Sequence, residues 1–483
     1  MKTRTLSLVL VAMSMAGCAN FSGLDTQGKR LEANNLQAGK SLSGVTLSPA
    51  AWPESDWWTR LGDPQLDGLI QEALQNSPDM QVASARAHQA FAAAYAADAA
   101  RMPTLDASAG VSRSRLARDQ DPRGEGDAYS TVRNAGVSFN YNFDLWGGQR
   151  ATWEAALGQA RAAEVDRQAA RLTLAADVAR AYSDLGEAHI VRDLANEDLK
   201  RTRQMLDLSK RRVSAGIDSD YQYQQTESLE ASAESQLIDA EKQLQSARIA
   251  LAVLLGKGPD RGNELGRPNV LKPAAVAVPS VLPAELLGRR PDLIAARWRV
   301  EAASKSIVAG KANFYPNLNL SASAGAESLL GDAMFGSASR FFNVAPTVSL
   351  PIFDGGRLRA DLDSRDADYD LAVAQYNKNL VTALGDVADT LSRLRETGRQ
   401  IQAQQHATDI AQDSYNTVVQ RYGSGIGNYL DVLSIEQQLL QAQRQLATLN
   451  AGQIALSIQL MQALGGGFHA DNVALTTPAT RTE

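Results

Sequence analysis

The sequence predicts an α+β membrane protein built from two copies of one unit. The second half repeats the first, because Pro78-Asp79 returns as Pro291-Asp292, 213 positions later, and Leu255-Gly256 returns as Leu464-Gly465, 209 positions later. Each copy holds two short segments in which apolar and polar residues alternate, followed by a very long stretch without proline. The repeat period of 209 to 213 residues far exceeds the roughly 20–50 residues of solenoid repeats. This period indicates duplication of a whole unit.

The N-terminus predicts an exported lipoprotein. Lys2 and Arg4 precede an apolar run that is too short to span a membrane, as in a secretory signal. Met15-Ala16-Gly17-Cys18 resembles a bacterial lipobox, which predicts removal of residues 1–17 and acylation of Cys18. A plain signal peptide that happens to contain a cysteine is the alternative. Cys18 is the only cysteine of 483 residues, which excludes an intrachain disulfide and disfavours a thiol-based site.

Charge and hydropathy disfavour nucleic-acid binding and a transmembrane helix after the signal. A net charge of −6 without any basic stretch disfavours nucleic acid as a partner. No segment after the signal reaches 18 continuous apolar residues, so no transmembrane helix is predicted there.

A weakly packed stretch and two helices are expected before the first strand. The polar stretch from Cys18 to about Pro49 is expected to be extended and weakly packed. A short helix through Leu74 follows, and Pro78 is suited to the first turn of an Ala-rich helix that ends near Arg101.

Four alternating segments predict β-strands with one apolar and one polar face. Half-buried strands of a soluble sheet are one interpretation, but the polar positions hold Ser, Asn and Thr, as in the wet lumen of a membrane barrel. Two polar connections, Ser114–Tyr129 and Ser328–Arg340, are long enough to be its outer loops. The predicted strands are Thr104–Val111, Val137–Phe143, Leu318–Ala324 and Phe342–Ile352.

Each strand pair is followed by a helix of unusual length. Ala151–Val213 and Leu358–Tyr422 contain no proline, and about 60 helical residues span on the order of 90 Å. Turns at Ser214–Ser219 and Gly423–Asn428 reverse the chain into shorter return helices. The predicted regions are a signal peptide at 1–17, a lipid-anchored segment at 18–75, repeats at 76–256 and 289–465, an irregular linker at 257–288 and a tail at 466–483.

Four strands per chain predict an oligomer. Known barrels begin at about eight strands, and an open sheet edge in lipid leaves backbone groups unsatisfied. Eight strands would enclose only side chains, whereas twelve or more would leave a channel. The long helices would then form a second, α-helical tube.

Seven short motifs are specific when taken together: Trp57-Trp58, Asp63-Pro64-Gln65-Leu66, Pro78-Asp79, Phe314-Tyr315-Pro316, Phe353-Asp354-Gly355-Gly356, Arg421-Tyr422-Gly423-Ser424-Gly425 and Tyr429-Leu430-Asp431-Val432-Leu433. In these motifs the chain resembles the TolC-like outer-membrane efflux proteins, in particular the lipoprotein channels of tripartite multidrug pumps. This resemblance implies a homotrimer with a 12-stranded β-barrel continued by a long α-helical barrel. It also implies a periplasmic adaptor and an inner-membrane transporter as partners, no cofactor, and outer-membrane localisation, in keeping with Ala19 after the lipidated cysteine. Transport energy and drug choice would belong to the transporter, and this chain would be a passive duct.

The helix reversals are the predicted adaptor-docking tip. Gly216 and Gly425 suit sharp turns on physical grounds alone, because such turns commonly need positive φ. The resemblance adds docking of the adaptor, with Arg212 and Arg421 as nearby polar contacts.

The resemblance also implies a constriction formed by Asp431 and Tyr422. Asp431 lies in the first turn after Asn428, so stabilisation of the helix start is the simpler interpretation. Three such carboxylates around a trimer axis would instead form a cation-favouring ring. Relatives often carry a carboxylate for the Tyr422 hydroxyl where this chain has Gln222, and many carry another acid where it has Ser434. Asp218 and Asp220 are expected on other helix faces.

Three other functions fit less well. Four scattered histidines without metal-ligand spacing, and two glycine-containing turns without the phosphate-binding pattern, disfavour an enzyme and a metal site. A pore-less periplasmic coiled-coil scaffold would leave the strands unused. Within the channel class, the exit duct of a type I protein-secretion system is the alternative.

Overall fold

A computed structural model describes residues 21–32, 36, 46–47, 52–115, 129–269, 271–273, 277–278, 288–328, 334 and 336–469. Within them the chain divides into two compact units. Unit 1 takes in the residues before Leu31, Ala87–Ala163 and Ala296–Tyr376, and unit 2 takes in the remainder. The predicted signal peptide and Cys18 lie outside the described residues.

Seven α-helices are present in the described part of the chain, and the long ones occur in matched pairs. The two longest have 67 residues each, and the helices that return from them have 35 residues each. The helices are α1 (Pro64–Asn76), α2 (Pro78–Ala99), α3 (Gly148–Ser214), α4 (Asp220–Leu254), α5 (Pro291–Ala312), α6 (Arg357–Gly423) and α7 (Tyr429–Ala463). None of them is long and apolar enough to cross a membrane.

Unit 1 contains one antiparallel four-stranded sheet. The described strands are β1 (Thr46–Leu47), β2 (Thr104–Arg115), β3 (Tyr129–Phe143), β4 (Ala277–Val278), β5 (Asn317–Ser328) and β6 (Arg340–Ser349). The order of strands in the four-stranded sheet is β2–β3–β5–β6, and each neighbouring pair keeps one continuous register. In unit 2, β1 pairs with β4 in a two-stranded parallel sheet.

The register places the apolar residues of all four strands on one face. Leu105 lies opposite Phe139, Phe139 opposite Ala322, and Ala322 opposite Val344, and partners that lie directly opposite share a face. Much of this face is open, since Phe342 is 85% exposed. The other face carries Ser, Asn and Thr, with Val132 and Phe341 as large apolar exceptions. The predicted separation of an apolar from a polar face is therefore observed.

The strands extend further toward their connecting loops than predicted. Ser114 and Arg115 belong to β2, and Tyr129 begins β3, because ladder pairing across this hairpin continues through polar residues. At the other end β6 stops at Ser349, so Ile352 lies beyond the strand, contrary to the prediction. Backbone pairing thus extends β2 and β3 beyond the point where apolar and polar residues stop alternating. No such pairing continues β6 from Ser349 to Ile352 among the described residues.

Residues 21–30, which are expected to be extended and weakly packed, are mostly exposed but make specific long-range contacts. Phe21 packs edge-on against Phe314, with ring centroids 5.0 Å apart. The Asp370 carboxylate accepts hydrogen bonds from the backbone N–H groups of Gln27 and Gly28 at 3.0 and 2.7 Å. Long-range contacts therefore hold part of a segment whose polar composition predicts only weak packing.

The core of unit 2 gathers residues that are distant in sequence. Trp57 and Trp58 lie in a short 3₁₀ helix and are both buried, with ring centroids 5.8 Å apart. Asp63 caps α1 through the Gln65 N–H, and the Tyr182 hydroxyl donates a 2.6 Å hydrogen bond to its carboxylate. This buried polar bridge fixes α1 against α3.

Candidate functional site

The first helix reversal closes through one glycine. Gly216 has φ +70°, and nothing lies within 4 Å of a Cβ added there. The N–H of Gly216 donates to the Val213 carbonyl and that of Ile217 to the Arg212 carbonyl, both at 2.9 Å. This is the Schellman pattern that satisfies the last carbonyls of α3. Ser219 and Gln222 then begin α4 with a capping box.

The second reversal repeats that geometry at the end of α6. Gly425 has φ +80°, and the N–H groups of Gly425 and Ile426 donate to the carbonyls of Tyr422 and Arg421 at 3.0 and 3.1 Å. Gly427 is required for a different reason, since an added Cβ would lie 2.7 Å from the Tyr422 nitrogen. The positive φ expected at both predicted tip glycines is observed; docking at them stays a prediction.

A buried polar contact links the two reversals. The Tyr422 hydroxyl donates a 3.1 Å hydrogen bond to Asp218 Oδ2, and the Arg212 guanidinium donates to the same oxygen over 3.0 Å. The Arg212 guanidinium also lies 4.6 Å from the Tyr422 ring centroid. Burial, and then the Asp218 carboxylate, raise the pKa of Tyr422 to about 12, so its hydroxyl remains a donor at neutral pH.

The expectation that Asp218 lies on the wrong helix face is therefore incorrect. Asp218 precedes the first residue of α4, so helical spacing does not determine its direction. Its own N–H donates to the Arg212 carbonyl, which turns the residue inward across the reversal. Gln222 is occupied instead by the capping box with Ser219.

An aromatic cluster continues from this contact into the second hairpin. Tyr422 and Tyr429 are buried with ring centroids 5.8 Å apart, and they pack with Met205 and Val432. The Tyr429 hydroxyl shares a hydrogen bond with the Thr226 hydroxyl, which joins α7 to α4.

One further turn along α7 lies a buried acid that sequence reasoning did not single out. Glu436 is 3% exposed, and the nearest cation to its Oε1 is Arg201 Nε at 3.7 Å. Burial raises the pKa of Glu436 to about 7, opposed by Arg201 and supported by Asp198. Its counterpart in the first repeat, Glu227, is exposed. The sequence signal that could have identified Glu436 was a glutamate among apolar residues in the interior of a predicted helix.

The remaining predicted site residues differ in exposure. Asn428 provides the side-chain cap of α7 through the Leu430 N–H at 3.2 Å. Asp431 follows in the first turn and makes no hydrogen bond or ion pair with any residue that the structure describes. Arg421 is exposed, whereas the Arg212 side chain is 17% exposed and already paired with Asp218. Of the two predicted docking arginines, Arg421 is thus the one whose side chain is exposed at the surface.

No group of side chains able to hold a metal ion is present among the described residues.

The chain matches known proteins over nearly its whole length. The model of the family described as "Outer membrane efflux protein" matches residues 69–257 and 282–466. Fusaric acid resistance protein FusA of Burkholderia cepacia is 37% identical over 76% of this chain and 69% of its own length. Toluene efflux pump outer membrane protein TtgF of Pseudomonas putida is 33% identical over 98% of both chains.

A solved structure shows the same fold. The outer membrane protein VceC of Vibrio cholerae superposes with a TM-score of 0.79 at 34% identity, covering 86% of this chain and 100% of that chain. The resemblance drawn from the sequence motifs is confirmed by these matches. The chain belongs to the outer membrane efflux protein family.

Proposed function

We propose that this protein is a passive trimeric channel that carries small molecules from the periplasm across the outer membrane. Three chains would contribute twelve strands to one β-barrel and their long helices to one α-helical barrel. Energy would come from an inner-membrane transporter, reached through a periplasmic adaptor. No step of this function needs a cofactor or catalytic residue.

The observation that carries the proposal is a sheet with one apolar face and two free edges. Within the described residues, β2 and β6 each pair on one side only. Free edges are not viable in lipid, because every unpaired N–H and C=O group there costs several kcal/mol. Pairing of β6 from one copy with β2 of the next would satisfy both edges and extend the apolar face around a closed ring.

The two reversals support a role as the docking tip. Gly216 and Gly425 form narrow turns, and the adjacent Ile217 and Ile426 are 63% and 73% exposed. Exposed apolar side chains at two matched turns suit contact with a helical partner. The adaptor would use both turns, with Arg421 as the more available polar contact.

The Tyr422–Asp218–Arg212 contact would act as a latch of the closed end, and Asp431 would line the passage beside it. The latch joins the end of α6 to the reversal between α3 and α4, so relative movement of the two hairpins must break it. Three exposed Asp431 carboxylates near the axis would favour cations.

Lipid on Cys18 would add a second attachment to the outer membrane. Cys18 lies three residues before Phe21, and three residues span at most about 10 Å. Since Phe21 packs against Phe314, the lipid would remain close to the junction of helix and sheet. Labelled fatty acid should enter the wild-type protein and not Cys18→Ser; label on the variant would contradict acylation at this residue.

The names of the relatives favour small molecules over secreted proteins. Fusaric acid resistance and toluene efflux both concern small organic compounds. A pore-less scaffold would give no reason for an exposed apolar sheet face.

Conductance tests the channel directly. The purified protein is expected to insert into planar bilayers and give discrete, pore-sized steps. A Pro substitution at Ala322 removes a ladder donor from the inner strand β5 and serves as a barrel-disrupting control. Absence of any steps from a correctly folded wild-type protein would contradict the proposal.

A further inference from the structure

One aromatic side chain lies on the polar face of the four-stranded sheet, near the end that carries the hairpin connections. Phe341 is the second residue of β6 and lies directly opposite Gly325 of β5. Gly325 shares its face with Ser323 and Ser321, because residues two apart on a strand point to the same side. The Phe341 side chain therefore belongs to the face that would line the lumen of the proposed barrel.

The glycine beside this ring leaves the aromatic surface accessible. A Cβ added at Gly325 would lie 3.1 Å from Phe341 Cε1, so the edge of the ring lies close to the backbone of β5. Phe341 is nevertheless 41% exposed, and no other aromatic ring or cation packs against it within the described residues. The simplest role of such a ring is to cover the glycine and stabilise the sheet. Its open side also offers a surface on which a ligand in the lumen can pack.

A carboxylate lies next to Phe341 on the same face. Glu327 is two residues beyond Gly325 on β5, and diagonal neighbours of this kind are about 7–8 Å apart in an antiparallel pair. That separation is within reach of long and aromatic side chains. Glu327 is exposed and makes no hydrogen bond or ion pair with any residue that the structure describes. The strand register thus brings together an acid and an aromatic ring that are both free to bind.

The charged residues of the four strands are divided between the two faces. Both strand acids, Asp106 and Glu327, lie on the polar face, since they pair with Ser138 and Asn134. All basic residues of these strands lie on the apolar face, and they are Arg113, Arg115, Arg133 and Arg340. The described part of the polar face therefore carries negative charge only, which favours cations along it.

Phe341 and Glu327 lie at the end of the sheet away from the helices. Both adjoin the connection between β5 and β6, whereas the opposite ends of the strands lead into α2, α3, α5 and α6. In a barrel whose helices extend into the periplasm, this end would face the exterior. Three copies would place three rings and three carboxylates around the outer mouth.

We propose that Phe341 and Glu327 form a binding patch for aromatic organic cations at the outer mouth of the channel. The inference rests on the proposed function, because closure of the barrel is what makes the polar face a lumen. The cationic group of such a molecule would pair with the Glu327 carboxylate, and its ring would pack against the Phe341 ring. Neutral and anionic compounds would lack the charge contact. A duct whose cargo is chosen elsewhere would thereby gain a preference of its own at its exit.

The test measures block of single-channel current in planar bilayers by benzyltrimethylammonium, added on the side that the hairpin connections face. Glu327→Gln and Phe341→Leu should each raise the half-blocking concentration about fivefold, as expected for loss of one exposed ion-pair or cation–π contact. Phe341→Tyr keeps the ring and should be blocked like the wild type. Phe341→Leu keeps apolar cover over Gly325, so a purely structural role predicts no change in it.

Matched controls separate this patch from its surroundings. Asp106→Asn removes the other acid of the polar face, which has no aromatic residue opposite or diagonal to it among the described strands. Phe342→Leu removes the adjacent ring, which lies on the apolar face. Both variants should be blocked like the wild type. Tetramethylammonium lacks the ring and benzoate carries the opposite charge, so both should block the wild type at least about fivefold more weakly.

Three results would overturn the proposal. Equal block of the wild type and Glu327→Gln would show that the carboxylate does not bind the cation, and this variant alone decides if Phe341→Leu fails to assemble. An equal loss of block in Asp106→Asn would assign the effect to the overall charge of the lumen. Equal block by tetramethylammonium or benzoate would show that ring or charge is not needed. Pores with unchanged block refute only the patch, whereas a folded protein without pores refutes the channel itself.

Discussion

The Tyr422 hydroxyl donates a hydrogen bond to the Asp218 carboxylate over 3.1 Å, across a sequence separation of 204 residues. This one contact ties the end of the second long helix to the reversal that follows the first. Arg212 reinforces it by donating to the same carboxylate oxygen at 3.0 Å while its guanidinium lies 4.6 Å from the Tyr422 ring centroid.

Replacement of Asp218 should open the closed end. Asp218→Asn removes the charge that holds Arg212, and a charge-assisted hydrogen bond contributes about 1.5–3 kcal/mol. We expect at least about tenfold higher open probability in planar bilayers, since 1.4 kcal/mol corresponds to a factor of about ten. Asp220→Asn, at an exposed carboxylate two residues on, is the matched control and should conduct like the wild type. Equal open probability in both variants would mean that Asp218 is not part of a latch.

Glu436 should make stability depend on pH. Its folded pKa of about 7 exceeds its ordinary value of 4.5, so the folded protein binds this proton more tightly than the unfolded chain. Stability contributed by the protonated form is thus lost as pH rises from about 4.5 through 7, by at most on the order of 3 kcal/mol per chain.

A glutamine at this position tests the sign. Glu436→Gln should retain its melting temperature between pH 5 and 8, whereas the wild type should melt at lower temperature at pH 8. The exposed counterpart supplies the control, since Glu227→Gln should keep the wild-type pH dependence. A pH dependence that survives in Glu436→Gln would place its origin elsewhere.

Asp431 should influence ion selectivity rather than stability. Its carboxylate is exposed, and Asn428 already caps the helix, so removal should change the thermal midpoint little. Asp431→Ala should lower cation selectivity in reversal-potential measurements and weaken block by multivalent cations. Unchanged selectivity with a lower melting temperature would make Asp431 a helix-stabilising residue only.

A bulky residue at Gly425 should disrupt docking before it disrupts assembly. Gly425 has φ +80° and open space around its Cα, so Gly425→Val adds backbone strain of about 1–2 kcal/mol without a clash. Drug resistance should disappear while trimers remain in the outer membrane. Gly385→Ala, at an open position inside α6, should leave both unchanged. Loss of the trimer in Gly425→Val would indicate a purely structural role.

The regular elements could be predicted from the sequence because they depend on local pattern. Alternation placed Leu105 and Phe139 on one face, and the absence of proline marked the long helices. The contacts of residues in the turns could not be predicted from local pattern. The direction of the Asp218 side chain is set by the helix reversal, and its hydrogen-bond partner, Tyr422, is distant in sequence. Periodicity also cannot distinguish Glu227 from Glu436, although one is exposed and the other is 3% exposed. The packing of Phe21 on Phe314 depends equally on tertiary contact.

Cross-linking between sheet edges tests the central claim most directly. In a Cys18→Ser background, which is otherwise free of cysteine, a cysteine replaces Ser108 on the edge strand β2. A second cysteine replaces Asn343, Ala345 or Thr347 on the edge strand β6, in three separate proteins. All four positions belong to the polar face, so one pair should come within disulfide distance if β6 of one chain pairs with β2 of the next. Oxidised membranes should then yield covalent species that end at three chains; monomers from every pair, or ladders that continue past three chains, would contradict a closed trimeric barrel.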